Sequence, residues 1–568
     1  MLYLPPNLFI MKQLFAVAIL FISFFSYSQK KPNAIKVTYQ KVNMGTPTDE
    51  GNPTIVFANH EKSRITNKIV LENKAELPTE EVLVNFIDSS YLNVAKLTSG
   101  KSVVTRDSIS LKKQMFELLP DTKTILGYKC HRAKTIINSN TIELWYTTDL
   151  NLKASPSILG QNLGVVLETM RNGNYAVTAT KVEKIKDATP YFDIVPKDVK
   201  AIDMITYRDM IWKARFTTIE VFKEEMINFS GESKSNDSIL RFANGTIILK
   251  KIKFPEIKPG SQTYVELTEQ SNGDAYDRTG SVFAIPVEKE KSFFEGLKNG
   301  VSTLPAYENG NGKKYYGVTL KDNYTPLLEL MRFFTPFGIK QYSNIRLKDK
   351  VWHDKVPYRE EISELQSELS NKEFWVGTFI GNYDKGGHKI SLSITIHADN
   401  NLKNKSNFVL SLFNTTNVME MAQQDYGTMF NVDKGLEVSF NLDKDVKNAS
   451  LRYITTGHGG WESGDEFVPK KNTIVMDDKQ VFAFIPWRQD CGSYRLFNPA
   501  SGNFDNGLSS SDYSRSNWCP GTVTNPEFIS LGDLEAGKHT ITIQIPQGSS
   551  EGNYFSAWNI SGVLIGSE

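Results

Sequence analysis

The sequence predicts an all-β protein: two consecutive jelly-roll-like antiparallel β-sandwiches preceded by a separate β-rich N-terminal domain. Three observations predict this. Apolar and polar residues alternate in short runs such as TIELWYTT (141–148) and YAVTATKVE (175–183), the period-two pattern of a half-buried strand. Strand-like runs recur along the chain between turn residues, with few helical segments among them. The length of 568 residues calls for three to four domains at about 150 residues each.

Lys and Arg number 65 against 64 Asp and Glu, a net charge of +1. That balance lacks the basic surplus of a nucleic-acid binder. A hydrophobic content of 40% with 11% aromatics supports packed cores rather than disorder.

Taken in order, the chain opens with Lys12, the apolar run Leu14–Phe25, and small residues Ser26 and Ser28 before Gln29. This is the layout of a secretory signal over residues 1–28, and the run is shorter than the ~20 residues a membrane span needs. The expected location is therefore secreted or periplasmic. Export permits disulfides. Of the three cysteines, Cys491 and Cys519 lie in one region and are expected to pair. Cys130, in GYKCHRAK, is expected to be a buried thiol.

Residues 29–185 read as short strands and turns with no catalytic or metal-spaced cluster. VTYQK, KTILGYKC with Ala133, Trp145-Tyr146 and QNLGVVLE (161–168) resemble the GLPGLI family of exported proteins, a resemblance that implies no chemistry. Residues 186–217 are expected to be a linker with one short helix after Pro196-Lys-Asp. Residues 218–398 carry TIEVF, GTIILKKIKF, TYVELTEQ, SVFAIPVE and HKISLSITIHA, the first sandwich. Residues 399–568 carry GLEVSFNL, SLRYITT, QVFAFIPW, HTITIQIP and SAWNISGVLIG, the second.

Three constellations stand out. In Asp274-Ala-Tyr276-Asp277-Arg278, a carboxylate beside an arginine in a Gly-bounded turn is either a solvated turn or a base held by a guanidinium, with a tyrosine able to stack on sugar. In His458-Gly-Gly-Trp461-Glu-Ser-Gly-Asp465-Glu466, clustered oxygens could hold calcium, but no EF-type spacing is present. In Arg515-Ser-Asn-Trp518-Cys519-Pro-Gly, the choice lies between a disulfide-tethered turn with a structural tryptophan and an aromatic platform beside a guanidinium, suited to a neutral sugar. The seven histidines form no HxH, HH or HExxH pattern, and no G-x-S-x-G elbow occurs. No metal or cofactor is expected.

At these residues, from about Ile219 to the C-terminus, the chain resembles the peptide:N-glycosidase F family. DAYDR (274–278), KIKFP (251–255), RFFTPF (332–337), GDEF (464–467) and RSNWCPG (515–521) carry the resemblance. The extra N-terminal domain resembles the bowl-like extension of a longer subtype. The resemblance implies an amidase that hydrolyses the bond between an asparagine side chain and the innermost GlcNAc of an N-glycan, releasing glycosylamine and converting Asn to Asp. It implies Asp277 as principal catalytic carboxylate and Glu466 as its partner across the interface of the two sandwiches. Arg278 and Arg515 are then substrate contacts, together with Asp274, Tyr276 and Trp518. The family's Cys491–Cys519 bridge is retained. The sequence departs where the family has a second glutamate: Gly381 stands there, or Phe379 in a shifted register, and the nearest carboxylate is Asp384. An arginine next to Asp277 is also expected to depress its pKa and weaken it as a base.

The partners expected are N-glycosylated peptides and glycoproteins, met by a monomer without nucleic acid and without a membrane anchor after signal cleavage. A noncatalytic glycan-binding protein is the alternative, since one carboxylate is missing. A two-sandwich copper monooxygenase is disfavoured by the missing His pairs.

Overall fold

The computed structural model describes residues 33–289, 291–338, 348–398, 407–416, 426–459, 464–499, 510–548 and 556–568. The signal segment (1–28) and Trp461 lie outside the described residues. The chain forms two compact units that divide between Arg215 and Phe216.

The N-terminal unit is built on one 13-stranded sheet. Most neighbours in it are neighbours in sequence, joined by antiparallel hairpins. Ala34–Asn43 lies inside the sheet, between Thr54–Asn59 and Tyr175–Ile185. Alternate residues of this strand, Ile35, Val37 and Tyr39, are buried with Leu152, Val165 and Leu167, as its period-two pattern requires. Cys130 is a free thiol in the same core, and burial pushes its pKa up to about 11.

The stretch expected to be a linker is part of this unit. Ala201–Ile202 adds a parallel strand beside Ser102–Asp107. Asp203, not the Pro196 region, caps the helix Met204–Lys213, accepting from the Thr206 amide. The helix buries Tyr207 and Ile211 against Ala95, Leu97 and Val103. The chain ties its end back to its own sheet because those apolar residues have a core to join.

The C-terminal unit contains the sandwiches. In the first, a four-stranded sheet has the order Thr217–Ile227, His388–His397, Gln262–Ser271, Val356–Glu361. It faces a six-stranded sheet that includes Ile247–Lys253, Glu373–Ile380, Thr279–Pro286 and Leu328–Phe334. Gln262–Ser271 alternates buried and half-buried residues, whereas every residue of Leu328–Phe334 is buried. Gly280 lets two strands close up: a Cβ there would lie 2.3 Å from the Phe333 ring. In the second sandwich, Phe408–Asn414, Ala557–Ser567, Val446–His458 and Glu527–Leu534 form one sheet. Leu436–Leu442, Gly537–Gln544, Asn472–Met476 and Lys479–Phe484 form the other. The architecture is all-β and jelly-roll-like, as the sequence pattern predicts.

Besides a shared apolar core, a strand and a polar seam join the sandwiches. Val523–Thr524, from the second half of the chain, pairs with Leu328–Phe334 and becomes the edge strand of the first sandwich's six-stranded sheet. Between the halves runs a buried polar seam. Arg332 forks onto Glu329 at 2.8 and 3.1 Å and reaches the Asn559 carbonyl at 2.5 Å. Arg452 donates to Glu364 at 2.6 Å and to the carbonyls of Glu329 and Leu330. Ser281 and Ser561 complete the shell around Glu329. Buried charges demand such partners.

Candidate active site

Asp277 sits on the loop that joins Gln262–Ser271 to Thr279–Pro286. The loop is pinned from two sides. Ser271 Oγ donates to the Asp274 carbonyl. Thr335 Oγ1 donates to the Tyr276 carbonyl at 3.2 Å and accepts from the Arg278 amide at 2.8 Å. The Thr335 hydroxyl explains the RFFTPF segment: it clamps the DAYDR loop.

Glu466 stands on the turn beginning at Gly464, whose carbonyl accepts from the amides of Phe467 and Val468. Asp465 anchors that turn. It is buried, accepts from Trp558 Nε1 at 2.7 Å and from the Gly548 amide, and lies 3.6 Å from Lys470 Nζ. The acidic loop is thus divided: Asp465 is spent on structure, and Glu466 meets Arg515. Arg515 is held by its backbone, which pairs in both directions with Arg488. The Cys491–Cys519 bridge (S–S 1.99 Å) joins the turn Cys491–Phe497 to the Trp518-Cys519 corner next to it.

Arg515 brings the two carboxylates together. Its Nη1 donates to Glu466 and lies 3.3 Å from Asp277 Oδ2. Its Nη2 donates to the Ser510 carbonyl at 2.5 Å and hydroxyl at 3.0 Å. The guanidinium lies 4.3 Å from the Trp518 ring centroid and 5.1 Å from that of Phe467. Asp277 and Glu466 keep 14% and 18% of their side-chain surface exposed. Burial raises the pKa of Asp277, and the nearby Arg515 only partly offsets it. Burial also lifts Glu466 from 4.5 to about 7, with Arg515 pulling down and Asp277 pushing up. Two carboxylates sharing one guanidinium titrate as a pair.

Contrary to the expectation from its place in the chain, Arg278 pairs with Asp274 rather than Asp277. Its guanidinium turns away from Asp277 and forks onto Asp274 at 2.6 and 3.1 Å. Arg278 still lowers the pKa of Asp277 through space, as Arg515 does, but burial outweighs both. Asp274, expected to touch substrate, is buried and spends its oxygens on Arg278, His388 and the Tyr276 amide. Burial pushes its carboxyl up, but hydrogen bonds from His388 and Arg278 outweigh this and hold it at about 2.

Trp518 also differs from the platform expected of it. It is 3% exposed, donates Nε1–H to the Gly457 carbonyl at 2.9 Å and stacks on Phe334 with centroids 4.3 Å apart. It carries Arg515 rather than presenting a face to solvent. The exposed aromatic is Tyr276, at 57%, with the Arg278 guanidinium 5.1 Å from its ring. Tyr383, which the sequence motifs do not single out, is 62% exposed and lies 5.8 Å from the same guanidinium. The only signal for it is an aromatic residue two places after Gly381.

His458 bonds Thr456 Oγ1 at 2.8 Å. Burial, together with Arg332 and Arg515, lowers its pKa to about 3, so it is neutral. Where a second glutamate is missing, Phe379 is buried in its strand, Gly381 donates to the Thr279 carbonyl, and Asp384 accepts from the amides of Gly386 and Gly387 at 2.7 Å each. Asp384 therefore caps its own turn.

Three family models match the chain: N-glycanase peptide, N-terminal domain, over residues 37–209; Peptide-N-glycosidase F, N terminal, over 218–396; and Peptide-N-glycosidase F, C terminal, over 425–565. Two solved structures of PNGF-II, in space groups C2 and P21, are each 56% identical and cover 94% of this chain. They are covered over 98% and 99% of their own lengths, with TM-scores of 0.87 and 0.88. PNGase F, a glycosylasparaginase from Flavobacterium meningosepticum, is 15% identical over 62% of this chain and 96% of its own, with a TM-score of 0.41. No curated protein matches. From the PNGF-II match over nearly the whole chain and the three successive family models, the chain belongs to the peptide:N-glycosidase F family, in the form that carries an additional N-terminal domain.

Proposed function

We propose that the protein is an exported peptide:N-glycosidase that hydrolyses the side-chain amide joining asparagine to the innermost GlcNAc of an N-glycan. The observation that carries this reading is the contact of Arg515 with both Asp277 and Glu466, one carboxylate from each sandwich. Family membership supplies the substrate class. The Cys491–Cys519 bridge and the apolar run Leu14–Phe25 support action in an oxidising compartment outside the cytoplasm.

Amide hydrolysis needs an activated water, a donor for the developing oxyanion and a proton for the leaving nitrogen. Asp277, raised by burial, orients a water and takes its proton. The water oxygen bonds to the amide carbon, and the carbon–nitrogen bond breaks. Glu466, with its carboxyl near neutrality, holds the proton that the leaving glycosylamine nitrogen takes up. Arg515 balances the charge on the pair. Tyr276 and Arg278, at the exposed rim, meet the sugar through an apolar face and a cation.

Mass spectrometry of a denatured glycopeptide tests this. The expected products are free glycan and a peptide carrying Asp in place of Asn. Asp277→Asn is expected to abolish the conversion while the protein stays folded. Retention of the glycopeptide without a mass change would replace the amidase with a noncatalytic glycan-binding protein. Full activity in Asp277→Asn would remove Asp277 from the mechanism.

A further inference from the structure

A second cluster of charges is buried beside the Asp277 loop, apart from the Arg515 contacts. His388 begins the strand His388–His397 and pairs in register with Ser271, the last residue before the loop. Its side chain is wholly buried. Nδ1 lies 2.8 Å from Glu269 Oε1, and Nε2 lies 3.4 Å from Asp274 Oδ2. Asp274 passes the connection on to Arg278, which borders Asp277. The chain Glu269–His388–Asp274–Arg278 thus runs from inside the first sandwich to the partly exposed Arg278 next to Asp277.

We propose that His388 is a positioning residue for the reaction: gripped by Glu269 on one ring nitrogen, it holds Asp274 with the other, and so fixes Arg278 and the loop that carries Asp277. This rests on the amidase reading for its functional consequence, though not for the loop it holds. A neutral imidazole has one N–H and could donate to only one of the two carboxylates. Facing both, His388 carries both protons, and the four groups sum to no net charge. Ion clusters of this kind rarely stabilise more than apolar packing of the same volume. What the cluster adds is a fixed place for the forked Arg278–Asp274 contact. A displacement of one ångström in such a site costs on the order of a hundredfold in rate.

The charged and titratable groups facing His388 are Glu269 from Gln262–Ser271 and Asp274 from the loop, with Arg278 beyond it. Tyr358, from Val356–Glu361, faces Glu269, and burial raises its phenol. Burial lowers the pKa of His388, but the hydrogen bonds to Asp274 and Glu269 raise it to about 9. Since the folded value lies above the unfolded one, the contribution is fully present below about 6.5 and is lost as pH rises through about 9.

Two variants test the proposal, His388→Gln and Glu269→Gln, each checked for folding by thermal melting. Amide-exchange protection of residues 272–278, measured against pH, reads the loop directly. In the parent protein, protection is expected to hold through neutral pH and fall near the His388 titration. Glu269→Gln is expected to move that fall to lower pH, a shift that a merely structural contact would not produce. His388→Gln is expected to lose protection at every pH and to lower kcat/KM for glycan release by tenfold or more. Unchanged protection and rate in His388→Gln, or superimposable pH profiles for Glu269→Gln and parent, would overturn the proposal. If the parent protein does not convert Asn to Asp, the amidase reading fails, and the protection arm still decides whether His388 holds the loop.

Discussion

Replacing Glu466 by Gln separates what the site demands of the fold from what it does to substrate. Glu466 is mostly buried, and its carboxyl is raised from 4.5 to about 7 by burial and by Asp277, against the pull of Arg515. A folded-state pKa above the unfolded one means the ionised side chain is disfavoured in the native state. Below about 4.5 both states are protonated and nothing is lost. Between about 4.5 and 7 the unfolded state ionises first and stability falls; above that the deficit is constant. At about 1.36 kcal/mol per pKa unit, the deficit is roughly 3 kcal/mol. Gln keeps the size and does not ionise. The variant should therefore melt with the parent near pH ~4 and a few degrees above it near pH ~8. Its glycan release should fall by on the order of 10²- to 10⁴-fold, because the amide cannot hold the leaving nitrogen's proton. Differential scanning calorimetry at the two pH values, paired with glycopeptide turnover, checks both halves. A variant that melts below the parent at the higher pH would show that the ion pair with Arg515 outweighs burial. A variant that keeps the parental rate would show that Glu466 takes no part in proton transfer.

Two aromatic residues should respond in opposite ways. Tyr276→Ala removes an exposed ring and should raise KM while changing stability by no more than about 0.5 kcal/mol. Trp518→Ala removes a buried ring under Arg515 and should cost about 3–5 kcal/mol, visible in chemical denaturation. Opening the Cys491–Cys519 bridge by Cys491→Ser with Cys519→Ser should cost roughly 3–4 kcal/mol, and turnover at moderate temperature should drop before the global melt.

Strand patterning and the all-β, jelly-roll-like class were legible in the sequence, and the family-like motifs singled out Asp277, Glu466 and Arg515, which the fold brings into contact. Side-chain period reports burial directly, whereas those three residues stood out through the resemblance of their motifs to the family, since DAYDR by itself also reads as a solvated turn. Which group each charged residue meets was not legible. Arg278 adjoins Asp277 in the chain but pairs with Asp274, four residues back, because the loop's path sets the direction of its side chain. Trp518 was expected to offer a face to sugar. Its burial depends on Phe334, which comes from the other sandwich and leaves no trace in the local sequence. His388 and Glu269 were invisible for a related reason. Each reads as an ordinary strand residue until two neighbouring strands place them beside the loop. Residues 186–217 read as a linker because a weakly patterned helix gives no indication of which core receives Tyr207 and Ile211.

The strand Val523–Thr524 has a consequence for the order of synthesis. The first sandwich leaves the ribosome long before the residues that finish its sheet. Until residue 524 has emerged, the outer edge of Leu328–Phe334 lacks the partner that covers it in the finished protein. An open edge recruits other chains, and a contact so distant in sequence closes slowly. Nascent protein therefore carries an aggregation-prone flank through the translation of nearly all of the second sandwich. A piece cut at residue 396, where one family model ends, would carry that edge uncovered.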